Sequence, residues 1–144
     1  MKHIGLISEE LTGSAIAAFY AVYDALGSGF LERLYVAAME TELRRRGHTV
    51  TREASVPVFY KGENIGLQRL DMLVDGQLVI EIKAAPSASA YGNKQLFSYL
   101  RATRLEVGLL FIFGPQPTFK RIVCLKADNG LTLPDKTGFP PAPP

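Results

Sequence analysis

The sequence contains one cysteine and no tryptophan among its 144 residues. A single thiol, Cys124, excludes an internal disulfide framework and favours a reducing compartment, and its apolar, strand-like surroundings predict a buried core thiol. No apolar run reaches the roughly 18 residues that cross a bilayer. Glu9 and Glu10 follow a short apolar segment at the start, which is not typical of a secretory signal. The expected location is cytoplasmic.

The sequence also lacks a marked excess of one sign of charge, because 16 basic and 14 acidic residues leave a formal net charge of only +2. Such a balance does not by itself predict nucleic-acid binding, and the cluster Arg44-Arg45-Arg46 is interpreted as a solvated basic face. The length fits one domain with a sizeable core, predicted over residues 1–126. The composition then changes: five of the nine prolines lie in residues 127–144, which are predicted to be a poorly ordered tail.

The hydrophobic pattern predicts three helices and five strands. Apolar residues at helical spacing indicate a helix over 9–26, which ends at Gly27-Ser28-Gly29. Further helices are predicted over 30–46 and 90–103, and strands over 56–60, 67–74, 78–84, 106–113 and 119–126. The order α-α-β-β-β-α-β-β is typical of an α/β fold in which helices flank a mixed central sheet.

The stretch from Leu70 to Ala84 places charges where a core strand is expected. It consists of two apolar runs joined at Asp75-Gly76, a dipeptide that marks turns between strands. Glu81 and Lys83 interrupt the second run two residues apart, so strand alternation places them on one face. Buried charges are costly unless they pair or bind a metal. The hairpin therefore carries either an ion pair or a functional site.

The site interpretation has a definite chemistry. The carboxylates of Asp71 and Glu81, together with a carbonyl oxygen, would suit a hard cation such as Mg²⁺. A lysine beside them, Lys83, would orient or help to deprotonate a metal-bound water. The alternative is a plain carboxylate–lysine pair at the end of a strand, and the hairpin alone leaves both interpretations open.

The loop length of this hairpin decides whether a shared site is possible. A two-residue loop at Asp75-Gly76 would place Asp71 and Glu81 on opposite faces of the sheet. A three-residue loop, with Val74 as its first residue, or a bulge would bring them to one face. The site interpretation therefore predicts an odd-length loop or a bulge.

Two helices contribute further polar candidates. Glu32 lies one turn before Tyr35 and Val36, so it falls on the apolar stripe of the second helix. Alternatively, it is an acid in the first turn that is stabilised by the helix dipole. In the third helix Gln95 lies one turn before Tyr99, where it could reach a water or a phosphate, although an isolated glutamine is more often a surface residue.

Five blocks of the sequence, taken in order, resemble a known family. Gly29 to Tyr35 fits a GxxExxY signature, and the later blocks are Arg69-Leu-Asp71, Glu81-Ile-Lys83, Gln95 to Leu100 and Val107 to Gly114. The chain thus resembles the GxxExxY proteins, which look like small members of the PD-(D/E)XK nuclease superfamily. The resemblance covers about residues 10 to 125.

The resemblance implies a restriction-endonuclease-like core and a metal-dependent phosphodiesterase, a hydrolase that cleaves nucleic acid, with DNA favoured over RNA. Asp71 and Glu81 would bind the metal with the backbone carbonyl of Ile82, and Glu32 would bind it directly or through water. Lys83 would lie near the attacking water. The expected cofactor is Mg²⁺, for which Mn²⁺ can substitute.

The resemblance also assigns Gln95 to the catalytic set, and Tyr35 and Tyr99 are expected to position substrate. The expected partner is nucleic acid, with a homodimer possible because cutting two strands needs two sites, and no membrane is expected. Some members of the superfamily keep the fold without the activity. A catalytically silent nucleic-acid-binding or regulatory module is therefore the alternative function.

Overall fold

A computed structural model of the chain describes residues 9–86 and 90–125. The predicted tail over residues 127–144 lies outside the described residues. The elements follow the predicted order: α1 (Glu9–Leu26), α2 (Glu32–Arg45), β1 (Val50–Tyr60), β2 (Glu63–Val74), β3 (Leu78–Lys83), α3 (Ala90–Arg101), β4 (Val107–Phe113) and β5 (Pro117–Val123). Within the described ranges, no helix combines the length and apolar character needed to cross a membrane.

The five strands form one mixed sheet in the order β1-β2-β3-β4-β5. Strands β3 and β4 are parallel and are connected through α3, whereas the other neighbouring pairs are antiparallel. Pro57 lies in β1, an edge strand, where the missing N–H costs little. The predicted mixed α/β architecture is confirmed.

The first hairpin is longer than the sequence pattern predicted. The strands predicted over 56–60 and 67–74 leave residues 61–66 between them, but the turn is confined to Lys61 and Gly62, both with positive φ, and Tyr60 pairs directly with Glu63. Two positive φ angles in a two-residue loop match the twist of the flanking strands. The register of the two strands then shifts at a bulge between Val58 and Phe59.

The core consists of two hydrophobic clusters, one on each face of the sheet. The first packs α1 and α2 against the sheet and includes stacked rings, with Phe19 and Phe111 at 4.4 Å and Tyr35 and Phe113 at 4.0 Å between centroids. The second packs α3 against the opposite face. Cys124, which was predicted to be buried, is only partly buried and packs at the margin of this second cluster.

The turn between β2 and β3 has three residues, as the site interpretation required. Val74 pairs with Leu78, so the loop is Asp75-Gly76-Gln77 rather than the predicted loop that begins at Val74. Asp75 and Gly76 both have positive φ, at 53° and 67°. Continuing the observed register places Asp71 opposite Glu81. The prediction of an odd-length loop is confirmed, with its position shifted by one residue.

Alternation in β2 breaks at Asp71. Leu70 belongs to the cluster on the α3 face and Met72 to the cluster on the α1–α2 face, although regular alternation would place them on the same side. Across the ladder Glu53 has a φ of 55°, and it is missing from the run of paired residues between Arg52 and Ala54. Both strands therefore change face at this point, and Asp71 lies at the change.

Gly114, which follows β4, is expected to be intolerant of substitution. A Cβ at this position would lie 2.3 Å from the backbone oxygen of Ala85, which cannot move as a flexible side chain would. We expect Gly114→Ala to lower the free energy of unfolding by about 2–3 kcal/mol, within the range of overpacking. Urea denaturation measures this change.

Gly13, in the second turn of α1, is the matched control for this test. A Cβ at Gly13 would meet nothing within 4 Å, and alanine favours the helix by about 0.5–1 kcal/mol. Gly13→Ala is therefore expected to stabilise the protein. Equal effects of the two substitutions would contradict a steric origin.

Candidate active site

The candidate site lies at the end of β3. Ile80 and Ile82 belong to the cluster on the α1–α2 face, so alternation places Glu81 and Lys83 on the α3 face with Val79. Glu81 is only 5% exposed, and its Oε2 accepts from Nζ of Lys83 at 3.1 Å. The shared face predicted for these two charges is confirmed.

Asp71 joins this pair from the neighbouring strand. Its Oδ2 accepts a hydrogen bond from the backbone N–H of Ile82 at 2.7 Å. Its carboxyl group is also hydrogen-bonded to that of Glu81. The change of face in β2 thus coincides with the residue whose side chain crosses to β3.

The electrostatics of the two carboxyl groups favour a shared proton in the absence of another cation. Burial and the neighbouring charge of Asp71 raise the pKa of Glu81 to about 7. Burial and the charge of Glu32 also raise the pKa of Asp71 from its ordinary value, although the hydrogen bond from Ile82 opposes the shift. The pKa of Lys83 is raised because its contacts with Glu81, Glu32 and Asp71 outweigh desolvation. The single positive charge of Lys83 therefore does not balance the charges of the three acids around it, Glu32, Asp71 and Glu81.

Glu32 reaches the same end of β3 from the first residue of α2. Its Oε1 accepts from the backbone N–H of Ala84 at 3.0 Å, and its charge acts on both Asp71 and Lys83. The residue is exposed rather than buried in the stripe that sequence periodicity indicated, because it lies at the very start of the helix. The structure therefore brings Glu32, Asp71, Glu81 and Lys83 together.

Tyr35 has a structural role beside this cluster. It is fully buried, its hydroxyl donates to the carbonyl of Gly27 at 2.6 Å, and it accepts from the N–H of Phe30 at 3.1 Å. Gly29, between them, has a φ of 108°. These contacts fix the segment that leads into Glu32. The prediction that Tyr35 touches substrate does not agree with its burial, and we assign it to positioning that segment.

Gln95 and Tyr99 lie on α3, over the face that carries Glu81. The backbone oxygen of Gln95 accepts from Nε2 of Gln68 at 3.4 Å. The side-chain Oε1 of Gln95 is buried and has no hydrogen-bond partner within the described part of the chain. Tyr99 is fully buried in the second cluster. A substrate-positioning role for Tyr99 does not agree with this burial, and no described contact joins Gln95 to the acids.

Oxygen ligands are available at this site for a divalent cation. Among the described residues no three His, Cys, Asp or Glu side chains stand in a ready-made metal-binding group. Glu81, which is buried, and Asp71, which is half-buried, nevertheless lie side by side, and their carboxyl groups share a hydrogen bond where two negative charges would repel. Carboxylate oxygens are the donors that Mg²⁺ prefers, so these residues fit such an ion.

Two of the three arginines in the basic cluster at the end of α2 form ion pairs. Arg44 contacts Glu40 at 3.0 Å and donates to the carbonyl of Val50, and Arg46 contacts Glu42 at 2.9 Å. These are surface ion pairs of small energetic value. The interpretation of this cluster as a solvated face agrees with its contacts.

Sequence reasoning did not anticipate the main-chain contacts that fix the acids. The N–H groups of Ile82 and Ala84 orient Asp71 and Glu32, and no residue pattern encodes a backbone donor. The left-handed conformation of Glu53 was equally hidden, because glutamate carries no signal for a positive φ.

Comparison with known proteins identifies the superfamily to which the chain belongs. A family model described as the PD-(D/E)XK nuclease superfamily matches residues 9–122. The match covers well over half of the chain, which belongs to the PD-(D/E)XK nuclease superfamily. Its mixed sheet with flanking helices is consistent with the restriction-endonuclease-like fold that the resemblance implied.

Solved structures extend the comparison at the level of fold. The chain is similar to the one titled "Crystal structure of SSO0001", with a TM-score of 0.53 and 22% sequence identity. The similarity covers 85% of this chain and 61% of that chain, so the present sequence spans less than two thirds of its length. No curated protein matches the sequence.

Proposed function

We propose that the protein is a metal-dependent phosphodiesterase that hydrolyses nucleic acid, with DNA favoured over RNA. The observation that carries the proposal is the buried Glu81, which lies against Asp71 and Lys83 at the end of a core strand. A protein interior rarely keeps two adjacent acids and a lysine without a function for them. Nucleases of this superfamily generally use divalent metal ions and act on nucleic acids.

The proposed metal ligands are the carboxylates of Asp71 and Glu81 and the backbone carbonyl of Ile82, with Glu32 directly or through water. A bound divalent ion, Mg²⁺ or Mn²⁺, would supply Lewis-acid stabilisation and a water of lowered pKa. The short bond from the Ile82 N–H holds Asp71 toward β3, and the Ala84 N–H does the same for Glu32. The chain therefore fixes its acids before any ion binds.

Lys83 is proposed to orient the attacking water and to offset the charge that builds up on the phosphoryl oxygens. Its side chain is 26% exposed, so it borders solvent while its ammonium contacts Glu81. Gln95 is proposed to bind water or substrate, because its buried Oε1 has no partner within the described residues.

The finer assignments rest on the same residues. The run from Gly29 through Glu32 to Tyr35 supports membership of the GxxExxY group, because each of the three residues makes a distinct contribution. Gly29 allows the turn, Glu32 supplies an acid and Tyr35 anchors the segment in the core. A single domain over residues 1–126 and a possible homodimer belong to the same proposal. The lone cysteine fits the cytoplasm.

A cleavage assay tests the proposal directly. The purified protein would be offered plasmid, linear duplex DNA, single-stranded DNA and structured RNA, with Mg²⁺, with Mn²⁺ or with EDTA. We expect cleavage that requires the metal, and the substrate that is cut names the class. Cleavage that persists in EDTA would contradict the metal-dependent mechanism.

A catalytically silent binding module is the second candidate. It is favoured by the absence, among the described residues, of a ready-made metal group and by the direct contact of Lys83 with Glu81. This module would bind nucleic acid equally well with and without a divalent ion, and would leave it intact. Gel-shift titrations in Mg²⁺ and in EDTA, run beside the cleavage assay, separate the two functions.

Metal binding should be visible as added stability. An ion that binds only the folded protein stabilises it by about 2.7 kcal/mol at one hundred times its dissociation constant. We expect Mg²⁺ or Mn²⁺ to raise the melting temperature, and Asp71→Asn to remove the rise. Glu42→Gln, at a surface ion pair on α2, is the control and should keep the rise. A rise that survives in Asp71→Asn would place the ion elsewhere.

A further inference from the structure

A polar cavity lies at the opposite end of β3 from Lys83. Its volume is about 390 Å³, and its walls come from α1, the end of α2 and the turn between β2 and β3. Because β3 has six residues, the two ends are about 17 Å apart at the usual rise per residue. The cavity is therefore separate from the nuclease candidate site. Its lining includes Leu11, Ser14, Arg46, His48, Asp75 and Gln77.

Three of these residues form a continuous hydrogen-bond chain. Oγ of Ser14 lies 2.8 Å from Nε2 of His48, and Nδ1 of His48 lies 2.7 Å from Oδ2 of Asp75. Both bonds are satisfied together when Nδ1 carries the imidazole proton and donates to Asp75, and Nε2 accepts from the serine hydroxyl. Nucleophile, base and orienting acid thus stand in the order required for nucleophilic catalysis.

The acid of this chain is held in place by its neighbours. Oδ1 of Asp75 accepts from the N–H of Thr49 at 2.8 Å and from its hydroxyl at 3.2 Å, and the N–H of Asp75 donates to the carbonyl of Thr49 at 2.9 Å. Burial raises the pKa of Asp75, but the hydrogen bonds from Thr49 and His48 outweigh it and leave this pKa below the ordinary value. The carboxylate is therefore ionised and fixed in orientation.

The geometry points to a second activity, and we propose that Ser14, His48 and Asp75 form a site that hydrolyses short-chain carboxylic esters. Oγ of Ser14 would bond to the acyl carbon while His48 takes the hydroxyl proton. The acyl carbon–oxygen bond to the alcohol then breaks, and His48 returns the proton to the leaving oxygen. Water, activated by His48, releases the acid and restores the serine. Asp75 acts as a positioning residue.

The walls of the cavity suit a small polar ester. Arg46, whose Nε is paired with Glu42, and Gln77 lie in the wall together with Glu10, and both carry side-chain N–H groups of the kind that stabilises the oxyanion of a tetrahedral intermediate. Leu11 contributes apolar surface for a short acyl chain. The volume is at the lower end of the range for small-molecule sites, which favours acyl groups of a few carbons.

Covalent labelling of the full chain tests this site. A fluorophosphonate probe is expected to add once, and peptide mapping should locate the adduct on Ser14. Hydrolysis of p-nitrophenyl acetate should fall at least 100-fold in Ser14→Ala and in His48→Gln, because general-base catalysis contributes about 10²–10⁴-fold. Ser98→Ala, at an exposed serine on α3, is the matched control and should keep both signals.

Asp75→Asn distinguishes a catalytic hydrogen-bond chain from one that only stabilises the fold. We expect kcat to fall about 100-fold with KM little changed, because the acid orients the base and does not touch the ester. Glu81→Gln should leave esterase activity intact, so the two proposed functions can fail independently. The proposal is overturned if the folded wild-type chain is not labelled at Ser14, or if ester hydrolysis persists in Ser14→Ala.

Discussion

Replacing Glu81 with glutamine is expected to reduce metal-dependent cleavage by at least about 10³-fold, because electrostatic stabilisation of this kind is commonly worth several kcal/mol. Glutamine keeps the size and shape of the buried side chain but removes the anionic oxygen that would bind the ion. It also removes the ionic partner of Lys83, now 3.1 Å away. Single-turnover cleavage of the preferred substrate measures the loss, and circular dichroism verifies the fold.

Two further variants define what this loss means. Lys83→Ala should also abolish cleavage, but it should leave the metal-dependent rise in melting temperature, because the lysine is not a proposed ligand. Glu42→Gln removes a carboxylate from a surface ion pair on α2 and should cut at the wild-type rate. If Glu81→Gln retains cleavage within tenfold of wild type, the assignment of the catalytic acids is wrong.

Glu81→Gln is also expected to stabilise the protein in the absence of metal. This stabilisation should appear only as the pH rises out of the acidic range. The folded protein keeps the proton of Glu81 until about pH 7, whereas the ordinary pKa of this group is 4.5. Between these values the folded state binds more protons than the unfolded state, so the free energy of unfolding falls as pH rises. A shift of this size corresponds to a total loss of about 3 kcal/mol by pH 8.

Urea denaturation in EDTA from pH 4 to pH 8 measures this effect. Wild type should lose stability across the range relative to Glu81→Gln, whose amide does not ionise. Adding Mg²⁺ at pH 8 should return much of the loss to wild type and none to the variant. Glu42→Gln should follow the wild-type profile. Parallel profiles for wild type and Glu81→Gln would show that burial of this carboxyl group does not limit stability.

Much of the fold follows from patterns that the sequence displays openly. Helix α1 was predicted at its observed bounds, because its apolar residues repeat at helical spacing and Gly27 ends the run. The buried strands β3 and β4 were predicted within one residue at each end, because near-continuous apolar runs have few other uses in a small domain. Their parallel pairing follows from the helix between them.

The distal half of the first hairpin was less predictable. The first five residues of β2 are all exposed, so they carry none of the alternation that marks a half-buried strand. Their conformation is fixed by the tight turn at Lys61-Gly62 and by pairing with β1, and a sequence pattern reports such long-range pairing poorly.

The polar residues of interest likewise differ in how far the sequence reveals them. Asp71, Glu81 and Lys83 could be recognised as candidates from the sequence because a charge inside an apolar strand contradicts its surroundings. The chain of Ser14, His48 and Asp75 was not found, because its members lie on three separate elements and each is ordinary in its own segment. Tyr35 was misassigned for a related reason: a motif identifies the residue but not the direction of its hydroxyl.

The three-residue turn between β2 and β3 has a consequence for how this protein can change during evolution. Side chains alternate along a strand, so a slip of one residue in the pairing of β2 with β3 would move Asp71 to the face away from Glu81. The same slip would also move the buried residues of the slipped strand out of the two core clusters. A residue gained in the turn is therefore tolerated only where the loop lengthens and the pairing stays as it is, so the core and the proposed site constrain this hairpin together.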